Sequence, residues 1–188
     1  MSSEDGYKIG QKAPDFVLVD QNNQPVKLSD FQGKRNVVLF FYPKDNSPGC
    51  TKEACSFRDK ITAFNQLDAE VIGISKDTVS SHKRFAEDQG LTFRLLSDEG
   101  GKVRKMYGAT SFLGMDGRVT FVIDKQGIIA DVYDSQIWFN EHVKRANMAL
   151  QRLLDRSGSL LRLKLDKTVK TRNEKYDGFR SAHLFFQI

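Results

Sequence analysis

Only two of the 188 residues are cysteine, and that scarcity removes several classes of protein at once. A disulfide-stapled secreted fold needs more cysteines, and a structural zinc site needs paired C-x2-C spacings or added histidine ligands. The three histidines, His82, His142 and His183, are scattered along the chain, so neither a metal nor a cofactor is expected. No apolar run approaches the ~20 residues of a membrane-spanning helix, so no membrane partner is expected. The start, Met1-Ser2-Ser3-Glu4-Asp5, has neither the basic and apolar pattern of a secretory signal nor an Arg-rich transit pattern. A cytoplasmic location is therefore expected, with an organelle such as a plastid as the alternative if a transit segment has been removed. Internal repeats, a Gly-rich phosphate loop ahead of a helix and a G-x-S-x-G elbow are also missing.

An excess of acidic residues is missing too, since the net charge is +5, but the surplus is local. From Ser157 to Ile188 there are seven Lys/Arg against three Asp/Glu, which leaves 22 against 21 in residues 1–156. A basic balance points to nucleic acid only when the charge belongs to the domain that binds. Here it belongs to a tail, so no nucleic-acid partner is expected. With 39% hydrophobic and 28% charged residues, the chain can build one ordinary domain core. The expected organisation is a domain over 1–156 and a basic, weakly ordered extension over 157–188.

What is present concentrates in one stretch, Tyr42-Pro43-Lys44-Asp45-Asn46-Ser47-Pro48-Gly49-Cys50-Thr51-Lys52-Glu53-Ala54-Cys55. It follows the apolar run Val37 to Tyr42 and leads into Ala54, Phe57, Ile61 and Phe64, whose three- and four-residue steps mark an amphipathic helix. Cys50 thus sits where a buried strand hands over to a helix N-terminus. Free N–H groups and the helix dipole at that position favour a thiolate over a thiol. Cys50 is a candidate nucleophile, against the plainer role of a small buried hydrophobe.

Along the rest of the chain, Asp15–Val19 and Val26–Leu28 read as a hairpin about the Gln21–Gln24 turn. The run Val37–Tyr42 lacks alternation, as a central strand covered on both faces does. A helix over 51–67, a strand over Glu70–Ser75 and a helix over 78–89 stopped by Gly90 follow. Then come a short strand at Leu95-Leu96, a brief helix around Val103, Met106 and Tyr107, and an irregular stretch over 109–116. A second hairpin joins Arg118–Asp124 to Ile128–Tyr133. A closing helix carries Phe139, Val143, Ala146, Leu150, Leu153 and Leu154 on one stripe, with Ser157-Gly158-Ser159 as its stop. That order predicts an α/β protein with a mixed central sheet between helices and an N-terminal hairpin, the layout of a thioredoxin-like fold.

From about Gly6 to Leu154 the sequence resembles a peroxiredoxin of the peroxiredoxin Q type, also called bacterioferritin comigratory protein. The resemblance rests on Lys12-Ala13-Pro14-Asp15-Phe16, on Phe40 through Cys55 with its Pro43-x3-Ser47-x2-Cys50 spacing, on Glu70–Ser75 and on Gly117–Asp124. It implies a thiol peroxidase in which Cys50 attacks hydrogen peroxide or an alkyl hydroperoxide and becomes a sulfenic acid. It implies that Ser47, at a position usually held by Thr, and Arg118 bond the thiolate or the peroxide, and that Pro43 shields the sulfur. Taken singly these three have plainer roles, as a turn or cap residue, a hairpin charge and a strand terminator. Replacing Thr by Ser keeps the hydroxyl but loosens χ1, so a small loss of rate is expected.

The same resemblance implies that Cys55 is the resolving cysteine, that the product is an intrachain disulfide, and that thioredoxin or a glutaredoxin-type dithiol recycles it. The expected molecule is a monomer, at most a weak dimer. Five residues on an ideal helix separate two Cα atoms by about 8.6 Å, whereas a disulfide needs less than about 7 Å. Oxidation is therefore expected to unwind the helix between Cys50 and Cys55. Two rival readings share the fold: a disulfide oxidoreductase, for which the C-x4-C spacing is wrong, and a non-enzymatic binding module with structural cysteines. His82 and His142 are expected to be surface or packing residues.

Overall fold

The computed structural model of the chain describes residues 8–110 and 116–158. The chain divides into two units, Met1–Gln151 and Arg152–Ile188, and the fold below is that of the first. Of the second, residues 152–158 are described and are helical. Ser157 and Gly158 are thus still helical, and the stop expected at Ser157-Gly158-Ser159 reaches outside the described residues. Ser159, Gly114 and the tail beyond Gly158 lie outside the described residues.

Seven strands form one mixed sheet in the order β2-β1-β5-β4-β3-β6-β7. The first hairpin, β1 (Val17–Asp20) and β2 (Pro25–Lys27), pairs Leu18 with Val26 and forms one edge. At the centre β3 (Asn36–Phe41) runs parallel to β4 (Ala69–Ser75) and antiparallel to β6 (Val119–Ile123). All six residues of β3 are buried, which is why its sequence lacks alternation. β5 (Arg94–Ser97) lies parallel to β4 and antiparallel to β1, and β7 (Ile129–Asp134) closes the other edge beside β6. The mixed α/β, thioredoxin-like layout is as expected.

The helices are α1 (Pro48–Asp59), α2 (Ile61–Gln66), α3 (Val79–Gln89), α4 (Lys102–Met106) and α5 over residues 139–151, with a 3-10 turn at Leu28–Phe31. The single helix expected over 51–67 is two, because Lys60 leaves helical geometry and donates to Phe57 O in a tighter turn. Phe57 and Phe64 are both fully buried across that break, so the apolar spacing continues where the helix does not. The Phe57 ring stacks on Phe40 of β3 at 4.5 Å between centroids and so seats α1 on the central strand. Burying such a ring contributes roughly 1.5–3 kcal/mol. At Gly73 of β4 an added Cβ would stand 2.7 Å from the Phe40 ring, so only glycine lets that ring lie against the sheet. The Thr78 hydroxyl caps α3 by accepting from Ser81 N, and Gly90 ends it in the left-handed region.

Candidate active site

The site grows from the end of β3. After Phe41 the chain leaves the sheet through Tyr42 and passes a loop whose shape is set by one buried carboxylate, Asp45. Its Oδ1 accepts from the Tyr42 hydroxyl at 2.7 Å, its Oδ2 accepts from Ser81 Oγ at 2.7 Å, and the His82 ring meets it at 2.9 Å. The other ring nitrogen of His82 faces the Leu96 carbonyl at 3.1 Å. These contacts of Asp45 with Ser81 and His82 tie the loop to α3. Burial alone would raise the Asp45 carboxyl, but the bonds from His82, Tyr42 and Ser81 hold it below its usual range.

Beyond the loop, Ser47 is extended (φ −76, ψ 146), Pro48 opens the helix, and Cys50 lies in its first turn. Cys50 is 1% exposed. Arg118, in the residue just before β6, donates from Nη2 to Cys50 Sγ at 3.3 Å and from Nη1 to the Glu53 carboxylate. The Phe139 ring of α5 covers the guanidinium at 4.7 Å. Gly49 permits this closeness, since a Cβ there would stand 2.7 Å from Phe139.

Of the residues singled out in the sequence, the structure thus brings Cys50 and Arg118 into contact across 68 positions of chain. Ser47 is in the adjoining turn, but its hydroxyl donates to Lys44 O at 3.1 Å instead of capping the helix. Pro43 is half-buried in the same loop. Cys55 is a free, half-buried thiol on α1, and its Sγ lies 3.7 Å from Gln89 Oε1 at the end of α3. Both cysteines thus sit within one intact helix, Pro48–Asp59.

Several residues of the site were not anticipated. Glu53 is fully buried, and the signal for it was a charged residue on the same stripe as Cys50, Ala54 and Phe57. Burial pushes its carboxyl up to about 7, more than Arg118 draws it down. His82 and His142 are both fully buried, which corrects the surface alternative expected for them. Each is satisfied by a partner distant in sequence, Asp45 for His82 and Thr120 for His142, and helical periodicity cannot reveal such partners. Burial holds the His142 ring down to about 4. Burial alone would lower the Arg118 proton affinity, but Glu53 and Cys50 opposite it more than reverse this.

Arg104 of α4, 1% exposed, was also missed. Its guanidinium donates to Tyr42 O, to Ala109 O at 2.9 Å and to Gly117 O at 2.7 Å. It therefore clamps the chain entering the Cys50 loop to the chain entering Arg118.

A buried thiol at a helix start thus lies beside an arginine delivered from the start of β6 in a thioredoxin-like sheet, and comparison with known proteins gives the class. Residues 9–132 match the family described as AhpC/TSA family, and the chain belongs to that family. Its relatives include the chloroplastic peroxiredoxin Q of Sedum lineare, 49% identical over 146 residues covering 77% of this chain and 78% of that protein. A crystal structure of a peroxidoxin from Mycobacterium tuberculosis is 40% identical and covers 77% of this chain and 97% of its own, with a TM-score of 0.72. Xanthomonas campestris peroxiredoxin Q is 26% identical over 73% of this chain and 90% of its own, with a TM-score of 0.68. The resemblance to peroxiredoxin Q drawn from the sequence stands, and with it the assignment as a peroxidase.

Proposed function

We propose that Cys50 is the peroxidatic nucleophile of a hydroperoxide reductase and that Cys55 resolves it. The Cys50 thiolate attacks one peroxide oxygen, the S–O bond forms as the O–O bond breaks, and the departing oxygen takes a proton to leave as water or an alcohol. Sulfur is oxidised to the sulfenic acid and the peroxide is reduced. The Cys55 thiol then displaces water from that sulfenic acid to give an intrachain disulfide. A dithiol donor of the thioredoxin or glutaredoxin type returns both thiols by exchange. The observation that carries this reading is the Arg118 Nη2 contact to Cys50 Sγ at 3.3 Å in the first turn of α1.

That guanidinium can hold the thiolate with one N–H and offer its charge to oxygen as the O–O bond lengthens. The contact strengthens as charge develops, which is the kind of interaction that lowers a barrier. Ser47 joins only if its hydroxyl leaves Lys44 O when substrate enters, and Pro43 limits the water reaching the loop. The relatives' chloroplastic names support a plastid location over the cytoplasmic one. A monomer and a dispensable tail complete the reading: removing residues from Ser159 onward should leave peroxide turnover unchanged.

The disulfide requires α1 to open, because an intact helix holds the two Cα atoms about 8.6 Å apart. One equivalent of peroxide should lower the intact mass by two hydrogens without a dimer on a non-reducing gel. Amide exchange over 48–55 should quicken in that oxidised form while β3 stays protected. Failure of the protein to consume hydrogen peroxide or a small alkyl hydroperoxide would sink the proposal.

A further inference from the structure

The buried cluster around Cys50 does not balance in charge when Cys50 and Glu53 are both ionised and the His142 ring is neutral. Cys50, Glu53, Arg118 and His142 are 1%, 0%, 4% and 0% exposed, and Arg118 is the cation bonded to both potential anions. Arg104, the other buried cation that senses Cys50, has Asp116 and Asp98 opposing it. A thiolate and a carboxylate together would leave one negative charge unmatched in a dry site.

The geometry provides a place for one compensating proton. The Ser135 carbonyl can only accept, so at 2.9 Å it fixes a proton on His142 Nε2. In the neutral ring Nδ1 then carries a lone pair, which accepts from Thr120 Oγ1 at 2.8 Å and faces Glu53 Oε1 at 3.5 Å. That Oε1 has no hydrogen-bond partner. The charged and titratable groups placed against the Glu53 carboxylate are thus Arg118, just before β6, and His142 from α5. Neither supplies Oε1 with a donor, and a proton on the carboxyl removes the charge from that unpartnered buried oxygen. Burial raises Glu53 to about 7 and lowers His142 to about 4, so the proton rests on the carboxyl.

We propose that Glu53, backed by His142, holds one proton while Cys50 is a thiolate and gives it up when peroxide removes the charge from Cys50. This rests on the reading of Cys50 as the peroxidatic nucleophile. The first step balances as Cys50 thiolate, hydroperoxide and Glu53 carboxylic acid going to sulfenic acid, alcohol or water, and Glu53 carboxylate. Arg118, released from the thiolate, is left paired with that carboxylate. The departing oxygen's proton is then matched from inside the protein, with no proton drawn from the solvent overall. His142 is a positioning residue in this scheme, because it acts only through Glu53.

The experiment oxidises the reduced protein with one equivalent of hydrogen peroxide in weak buffer near neutral pH and reads proton uptake with an indicator dye. Intact mass confirms the disulfide end point. Carrying the thiolate to the disulfide consumes one proton in all, so the wild type should take close to none from water and Glu53→Gln about one per disulfide. Infrared difference spectra should show a protonated-carboxyl band lost on oxidation in the wild type and absent in Glu53→Gln. Should that variant not fold, the wild-type stoichiometry and band decide alone. A disulfide formed with one proton drawn from water by the wild type, and no carboxyl band change, overturns the proposal while leaving Cys50 as the nucleophile. No oxidation at Cys50 overturns both.

Discussion

Cys50 and Cys55 are five residues apart on one helix, yet their surroundings have little in common. Cys50 is sealed in a charged cluster supplied by β6 and α5, with Arg118 on its sulfur and Phe139 over the arginine. Cys55 is half-buried against the end of α3, where it meets the Gln89 side-chain carbonyl and where Arg58 donates to Gln89 O at 2.6 Å. The difference suits the two tasks proposed for them. A nucleophile that must stabilise charge as a bond breaks needs fixed dipoles around it, and a resolving thiol needs a holder it can leave.

The most severe way to test that contrast is to remove each sulfur in turn. Cys50→Ser should abolish peroxide consumption, whereas Cys55→Ser should still oxidise once and stop at the sulfenic acid, as read by mass after trapping. Equal loss in both variants would erase the distinction. Next in size, Arg118→Met should slow oxidation of Cys50 by roughly 10²–10³-fold, the usual loss for one donor aimed at developing charge. Stopped-flow rates should show that loss in the peroxide step, with disulfide formation from the sulfenic acid little altered.

A smaller effect follows from the buried pair beside Cys50. Glu53 binds its proton more tightly in the folded protein, so its stabilising effect is complete below the ordinary 4.5 and lost as pH rises through about 7. His142 is held neutral, so its effect is complete above the ordinary 6.5 and lost as pH falls through about 4. Urea midpoints of the reduced protein should therefore decline on both sides of the mildly acidic range, and His142→Gln should flatten the acidic side. The smallest effect belongs to the Cys55 side. Gln89→Ala removes a neutral partner worth ~0.5–1.5 kcal/mol and should speed disulfide formation by a few-fold, leaving the peroxide step unchanged.

The Cys55 side was the less legible one in the sequence. Cys50 could be placed at a helix start because the apolar run and the helical spacing are local signals, and Arg118 came from resemblance at a distant motif. Glu53 and His142 escaped because their meaning depends on a crossing of α1, β6 and α5 that no local pattern encodes. The break at Lys60 was hidden for a related reason: Phe57, Ile61 and Phe64 keep helical spacing whether or not the backbone does. Ser47 was read as a donor to sulfur from its place in the motif, and in the structure its hydroxyl instead serves the loop it belongs to. Gln89 as the neighbour of Cys55 required knowing where α3 ends against α1.

Arg104 gives the site an order of assembly. Both cysteines leave the ribosome early, while the arginine that ties Tyr42 O to Gly117 O, the arginine on the sulfur and the histidine behind Glu53 all come from later residues. A nascent chain ending before Arg104 carries both thiols and none of the cations or the helix that enclose Cys50. The enclosure of Cys50 is thus a property of the finished domain, and synthesis passes through its first half with two unsupported thiols.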